Sequence, residues 1–381
     1  MKLKNVAAAG AIALVSALAL SACSGSNSGS GGSGGGSTNS SSPSSAPSVD
    51  YSSLSGTITA GGSSAQANAQ AAWSAAFKAQ ASGVTINYDK SQGSGGGVTN
   101  WLSGSYDFAG TDAALTPAQF TQAQTSCGTG GGLNIPVYLS GVGIIYKLPG
   151  DPKVNLTGQL LAQIFSGKIT NWNDAKIKAV NSGVTLPSLK ISVVHRSDGS
   201  GTTANFTTYL SQIDPTDWTS APGTAWPNSV GSGQQGGSGV VNTVEAGSGT
   251  IGYADQSSVG KATMAAIQVG TSGSNFSSYS AAGATAAFEA AAQDASQGAD
   301  DLTKKLDYTK ITDSSAYPIP LLSYDVLCKT FKDSTQGKLT AAYLGFIGSD
   351  TGQKVGAQNA GAAPLPASII AEITKSLADV K

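Results

Sequence analysis

Three glycine- and hydroxyl-rich turns hold the residues best suited to chemistry. They are Ala60-Gly61-Gly62-Ser63-Ser64, Gln92-Gly93-Ser94-Gly95-Gly96, and Arg196-Ser197-Asp198-Gly199-Ser200-Gly201-Thr202-Thr203. Each lies where a strand pattern gives way to a helix pattern. The N-terminus of a helix leaves several backbone N–H groups without partners, and the macrodipole makes that end positive. Glycine lets backbone approach a ligand closely, and a Ser or Thr hydroxyl adds a donor beside each N–H. Arg196 contributes a planar, two-pronged donor that matches a tetrahedral oxyanion. One such turn is an ordinary connector; three, with an arginine opening the third, point to anion binding.

Asp112, within Asp107-Phe108-Ala109-Gly110-Thr111-Asp112-Ala113, narrows the choice of anion. A carboxylate beside a bound anion repels it unless the anion carries a proton to donate. Phosphate keeps a proton through the neutral range and sulfate has none, so an Asp in the site favours the first and disfavours the second. A buried acceptor left unpaired costs about 1–3 kcal/mol. The other reading of Asp112 is a helix N-cap ahead of Ala113 and Ala114. Asp198 is placed to hold the Arg196 guanidinium.

The elements that must position these turns alternate in type. Strands are expected at Ser55 to Thr59, Val84 to Tyr88, Tyr106 to Ala109 and Lys190 to Val194, with a long apolar, β-branched stretch from Leu133 to Lys147. Helices are expected at Gln66 to Gln80, Val98 to Leu102, Gly158 to Phe165, Thr203 to Ile213 and Ala281 to Ala292. The alternation predicts an α/β architecture with mainly parallel sheets. Asp214 to Gly249, rich in Gly, Pro, Ser and Trp, reads as surface loops around short elements. The tryptophans, Trp73, Trp101, Trp172, Trp218 and Trp226, read as packing residues.

Composition excludes several function classes. The formal net charge is −1 and charged residues make up 11%, with no basic stripe, so nucleic acid is not an expected partner. Cys-x-x-Cys spacings and His clusters are absent, which argues against a metal site, and no cofactor is called for. A hydrolase fails on inventory. His195 is the one histidine, Gln92 replaces the first glycine of a Gly-x-Ser-x-Gly elbow around Ser94, and Gly167-Lys168 is followed by Ile169 where a P-loop needs Ser or Thr. We therefore expect a binding protein and no enzyme.

The first residues read as export signals. Basic Met1-Lys2-Leu3-Lys4 precedes an apolar run, Val6 to Leu20, too short for a comfortable membrane span, and Leu20-Ser21-Ala22-Cys23 closes it with small residues. This is the layout of a signal peptide over residues 1–22. Its ending resembles a lipobox, which implies cleavage and a lipid on Cys23. The Ser/Gly-rich stretch of residues 23–50 reads as a flexible tether with a span on the order of 30 Å. Tyr51 to Lys381 is too long for one small core and suits two lobes. In an exported chain, Cys127 and Cys328 favour a disulfide over two buried thiols.

Several passages resemble the extracytoplasmic phosphate-binding proteins of bacterial ABC importers. They are Gly93-Ser94-Gly95-Gly96-Gly97-Val98, Asp107 to Ala113, Ile164-Phe165-Ser166-Gly167-Lys168-Ile169-Thr170-Asn171-Trp172-Asn173-Asp174, Arg196 to Thr202, Gly249-Thr250-Ile251-Gly252-Tyr253 and Ala363-Pro364-Leu365-Pro366. They span nearly the whole mature chain in the family's order. The resemblance implies a two-lobed type II periplasmic-binding-protein fold with the ligand in the cleft between lobes joined by two crossovers. Lobe I would take residues 51–134 and 317–381, and so both Cys127 and Cys328; lobe II would take 135–316. It also implies inorganic phosphate as ligand, held by Ser63, Ser64, Ser94, Asp112, Arg196, Ser200, Gly201 and Thr202. The partners implied are a membrane permease and, through Cys23, the membrane's outer side; a monomer is expected. The chain departs from the family pattern at Ser63-Ser64, where Thr-Phe is frequent, and at Gly95, which replaces a second serine. The same scaffold could serve sulfate or molybdate, or act as a phosphate sensor or surface protein without a transporter.

Overall fold

The structure is a computed structural model that describes residues Asp50–Lys381. The expected signal peptide, the lipid-bearing Cys23 and nearly all of the tether lie outside the described residues. Among the described residues no helix is long and apolar enough to cross a membrane.

The long apolar stretch from Leu133 onward is a single 16-residue strand, and it organises the molecule. Nine strands form the main sheet: β1 (Ser55–Gly62), β2 (Gly83–Asp89), β3 (Phe108–Thr111), β4 (Gly132–Lys147), β5 (Ser192–Arg196), β6 (Ser232–Gln234), β7 (Thr250–Asp255), β8 (Thr263–Met264) and β9 (Pro320–Cys328). Their order is β2-β1-β3-β9-β4-β7-β5-β6, with β8 also pairing β4. The first half of β4, Gly132 to Gly141, pairs β9, and its second half, Val142 to Lys147, pairs β7. One strand thus belongs to both halves of the sheet. The chain returns beside it, where the Val142 N–H donates to the Ile319 carbonyl at 2.9 Å. Every residue of β4 but the last is buried, as is every residue of β3, which explains their near-continuous apolar runs.

Expectation and structure differ on strand direction. The outer pairings, β1–β2, β1–β3, β5–β6 and β5–β7, are parallel, but β9 runs antiparallel to β3 and β4, and β4 runs antiparallel to β7 and β8. The sheet is therefore mixed. Strands that carry the chain out of one half and back into it must run in opposite directions, whatever the βα units on either side prefer. The β4–β9 ladder shifts register between Ser323 and Tyr324, opposite Tyr138 and Pro136. Pro136 has no N–H for the ladder, and an irregularity is where a proline is tolerated inside a sheet.

Two helices begin earlier than expected. α2 (Gly93–Leu102) takes in the whole glycine run before Val98, and α3 (Gly201–Ile213) starts on the glycine turn itself. α1 (Ala67–Lys78) buries Trp73 and Phe77; the Trp73 indole N–H donates to the Gly352 carbonyl at 2.7 Å, which ties α1 to the C-terminal helices. The Asp214 to Gly249 region holds an 11-residue helix, α4 (Gly236–Ala246), that composition concealed. Its glycine-rich first turn reads as loop, while Val240, Val241 and Val244 pack one face into the core. Trp73, Trp101, Trp172 and Trp218 are fully buried, and Trp226 is half-buried in the core.

Cys127, which ends the helix Pro117–Ser126, is bonded to Cys328 at the end of β9, with 5.2 Å between the Cα atoms. The bond closes a loop of 201 residues that includes the whole excursion through the second half of the sheet. Chain-entropy reasoning gives a loop this long about 5 kcal/mol of stabilisation. Replacing both cysteines by alanine is expected to lower unfolding stability by about 3–5 kcal/mol in urea melts. A loss below about 1 kcal/mol would show that the strand pairings alone confine the unfolded chain.

Candidate functional site

The three glycine turns converge at the edges of the two sheet halves. β1 runs into Ser63 and Ser64 ahead of α1, β2 leads into α2 with Ser94 in its first turn, and β5 ends on Arg196 ahead of α3. Ser200 caps α3, its hydroxyl accepting the Thr203 N–H at 3.1 Å. Asp112 follows β3 and lies at the meeting point. It does not cap a helix: the next helix starts at Pro117 and is capped by Thr116.

Asp112 is 3% exposed, and the donors around it come from both halves. Its Oδ1 accepts from the Ser63 hydroxyl at 2.5 Å and the Ser323 hydroxyl at 2.6 Å, both from the first half. Its Oδ2 accepts from the Thr202 hydroxyl at 3.1 Å, from α3 in the second half. The Asp112 N–H donates to Ser94 Oγ at 3.3 Å, and its carbonyl accepts from the Asn205 amide at 2.6 Å. Burial pushes the Asp112 carboxyl above the ordinary carboxylate value, against the opposing pull of Ser323, Ser63, the Arg196 charge and Thr202.

Arg196 is 3% exposed. Its Nε donates to Asp198 Oδ1 at 2.7 Å and its Nη2 to Asp198 Oδ2, a bidentate clamp. Burial raises the Asp198 carboxyl, but the Arg196 bonds and charge outweigh it and leave Asp198 below its usual range. Asp198 Oδ1 also accepts the Gly236 N–H from the start of α4. Tyr253 steadies the same corner, its hydroxyl accepting the Arg196 N–H at 3.3 Å and lying 2.6 Å from Thr203 Oγ1.

The structure therefore brings Ser63, Ser94, Asp112, Gly201 and Thr202 into direct contact and sets Arg196, Asp198 and Ser200 beside them. Ser64 stands apart, half-buried, its Oγ accepting the Gly237 N–H at 3.4 Å. His195 stacks on Trp226 with ring centroids 4.8 Å apart, a packing role. Sequence reasoning passed over Ser323, Gln66 and Asn205. Ser323 is the lone serine in the buried run Leu321-Leu322-Ser323-Tyr324, and a small polar residue among large apolar ones is the signal that could have marked it. Tyr253 ends the Gly249-Thr250-Ile251-Gly252-Tyr253 run, and its contact with Arg196 is visible only in the fold.

The halves touch closely. The Gly95 N–H donates to the Gly199 carbonyl at 2.8 Å, and a Cβ on Gly95 would lie 3.3 Å from the Gly199 Cα. The Gln235 amide donates to the Ser91 carbonyl at 2.8 Å, and Ser257 and Asn68 link the far side. A Cβ on Gly201 would fall 2.7 Å from Asp112 Cβ, Asp112 N and Ser94 Oγ. Such an arrangement can offer a small, proton-bearing oxyanion donors from helix N-termini, hydroxyls and a guanidinium, with one carboxylate as acceptor. Among the described residues no cluster of His, Cys, Asp or Glu could hold a metal ion.

The fold and this cleft define a class: two-lobed solute-binding proteins of the type II periplasmic-binding-protein fold. The family model for the PBP superfamily domain matches residues 41–351. The phosphate-binding protein PstS of Xylella fastidiosa is 36% identical over 310 residues, 79% of this chain and 79% of the relative. The phosphate-binding protein PstS 3 of Mycobacterium leprae is 32% identical over 288 residues, 76% of this chain and 78% of the relative. Among solved structures, the phosphate-bound high-affinity periplasmic phosphate-binding protein PfluDING is similar with a TM-score of 0.68 at 22% identity, covering 84% of this chain and 93% of that one. A phosphate-binding protein from Stenotrophomonas maltophilia is similar at 0.64 and 19%, covering 84% and 94%. The structural likeness carries the fold, and the sequence relatives carry the family. The chain belongs to the PBP superfamily and, within it, to the PstS phosphate-binding proteins.

Two measurements probe this geometry. Gly201→Ala is expected to wedge the halves apart, giving a larger radius of gyration by small-angle scattering than wild type; an unchanged radius would mean that Ser94 and Asp112 can yield. Behind the cleft, burial pushes Asp325 up to about 7 and Asp255 up to about 6. Both bind protons more tightly folded than unfolded, so their contribution to stability is full below the unfolded value near 4 and is lost as pH rises through 6 to 7. Between pH 5 and pH 8, wild type should lose on the order of 2 kcal/mol of stability relative to Asp325→Asn in urea melts. Parallel pH profiles would refute this.

Proposed function

We propose that this protein captures inorganic phosphate outside the membrane and delivers it to an ABC importer, without chemistry on the ligand. The observation that carries the reading is Asp112, a buried acceptor at the centre of donors drawn from both halves. A ligand with a proton satisfies that acceptor and a ligand without one leaves it facing a negative charge. Ser63, Ser94, Arg196, Ser200, Gly201 and Thr202 supply donors to the anion, Ser64 adds its backbone N–H while its hydroxyl serves Gly237, and Asp198 holds Arg196. The curated relatives are phosphate-binding proteins by name, and two-thirds or more of each is covered.

The lobes, expected as residues 51–134 with 317–381 and residues 135–316, close about the paired crossovers; the change of partner within β4 at Gly141 and Val142 supports a first crossover there, a few residues past the expected boundary. Cleavage before Cys23 and lipidation of its sulfur tether a monomer to the outer side of the membrane. A membrane permease receives the closed form and releases the ligand.

Calorimetric titration of the mature domain tests the reading. Phosphate is expected to bind tightly and sulfate to give no heat at neutral pH. Asp112→Asn is expected to weaken phosphate roughly 10- to 100-fold, the value of a hydrogen bond to a charged group. Wild type that ignores phosphate would mean the scaffold serves another ligand.

A further inference from the structure

We propose that Ser323, aligned by Gln66, is a positioning residue of the anion site: its hydroxyl holds Asp112 as an ionised, purely accepting carboxylate and so sets the pH range over which the cleft prefers a proton-bearing oxyanion. The proposal rests on the phosphate reading and extends it to a residue outside all three glycine turns.

The direction of each hydrogen bond follows from what each group is able to do. Ser323 and Gln66 are both fully buried. The Gln66 Nε2 lies 2.9 Å from the Tyr324 carbonyl and 2.7 Å from Ser323 Oγ. A backbone carbonyl can only accept, so the amide nitrogen must face this side, and its second hydrogen goes to Ser323 Oγ. Gln66 Oε1 in turn accepts from the Gln70 amide at 2.9 Å, Gln70 also donates to Asp325 at 3.2 Å, and its carbonyl oxygen takes the Tyr343 hydroxyl at 2.9 Å. Every amide in the chain is satisfied in one orientation only.

Ser323 Oγ, already accepting from Gln66, must send its own proton elsewhere. Two acceptors are in reach, Asp112 Oδ1 at 2.6 Å and the Thr111 carbonyl at 3.2 Å. The shorter and charged partner takes it. With Ser63 also donating to Oδ1 at 2.5 Å, that oxygen faces two hydroxyl protons and has no room for one of its own. A proton on Asp112 therefore belongs on Oδ2, the oxygen that meets Thr202 across the cleft. Ionised, Oδ2 accepts a ligand's proton; protonated, it donates to an anion that has none. The Ser323 hydroxyl favours the ionised form and widens the first regime at the expense of the second.

Other groups act on the same balance. Arg196 on β5 favours the ionised form, and burial opposes it. Asp255 on β7 feels the Asp112 charge, as does Tyr88 on β2. Lys304 and Lys305 line a cavity of about 170 Å³ that Asp112 also borders. None of these contacts Oδ1, so the Ser323 contribution is separable from theirs.

The test is the titration of the Asp112 carboxyl carbon by NMR in the intact, ligand-free protein, with Asp112→Asn to assign the signal. Ser323→Ala is expected to raise the Asp112 midpoint by roughly one pH unit, a tenfold gain in proton affinity. Ser323→Thr, which keeps the hydroxyl, is expected to stay near wild type. Gln66→Leu, which frees the Ser323 hydroxyl to turn, should move the midpoint in the same direction. Calorimetry across pH should then show the acid-side loss of phosphate binding, and the gain of sulfate binding, both displaced upward in Ser323→Ala by the same interval. An unmoved midpoint in Ser323→Ala overturns the proposal, whatever happens to affinity. A uniform loss of affinity with an unmoved acid limb would assign Ser323 to packing and overturn it equally. Should Ser323→Ala fail to fold, the Gln66→Leu midpoint decides. Wild type that binds no phosphate at any pH would sink the proposed function, while the NMR midpoints would still decide the positioning role.

Discussion

A buried carboxylate must be given donors or lose its charge, and Asp112 is the residue on which the arrangement of this protein turns. An isolated ionised carboxylate in a protein interior costs several kcal/mol even after relaxation. Asp112 is relieved by Ser63 and Ser323 from one half of the sheet and by Thr202 from the other. Its ionisation is thus tied to how the halves sit. Where the halves meet, the Thr202 hydroxyl reaches Oδ2. Closure replaces adaptable solvent with fixed dipoles, the condition under which a site can distinguish two anions of similar size and shape by a single proton.

Such closure requires backbones to come nearer than side chains allow, and this accounts for the glycines in the turns. Gly201 abuts Asp112 and Ser94, Gly93 abuts Asp198 and the Gly199 carbonyl, and a Cβ on Gly97 would run into the Gly62 backbone. Only some of them serve conformation: Gly62 and Gly93 have positive φ angles of 133° and 64°, while Gly201 does not. At Gly201 the absent side chain is itself the requirement, because its place is taken by the carboxylate and serine it packs against.

The turns, the acidic residue and the arginine were legible because each belongs to a local pattern, glycine and hydroxyl at a strand-to-helix junction. The spans of Gly158–Phe165 and the long strand through Leu133–Lys147 were legible for the same reason, since helix and strand periodicity are local properties. What sequence hid is of two kinds. α4 and the first turn of α2 were masked by glycines whose poor helix propensity is overridden by packing, Val240 and Val244 in one case and the approach to Gly62 in the other. The mixed strand directions and the role of Ser323 depend on contacts between positions far apart in the chain. Ser323 meets Asp112 across 211 residues and Gln66 across 257, and a single serine in a buried strand carries no local mark of either partner.

Charge supplies the last constraint. Arg196, the one arginine in the chain, has its Nε and one Nη2 hydrogen committed to Asp198, so the pair presents little net charge at a distance. With a formal net charge of −1 and two further carboxyls, Asp255 and Asp325, buried close behind the cleft, no long-range field draws an anion in. On the proposed reading the pull acts at contact, through the N–H groups at the starts of α2 and α3, the hydroxyls of Ser63, Ser94 and Thr202, and the guanidinium hydrogens that Asp198 leaves free. Short-range donors are weakly screened once water is excluded, so recognition built this way holds at ionic strengths that would weaken an electrostatic funnel. It also makes the precision of the donors, more than the sum of charges, the quantity that decides which oxyanion stays bound.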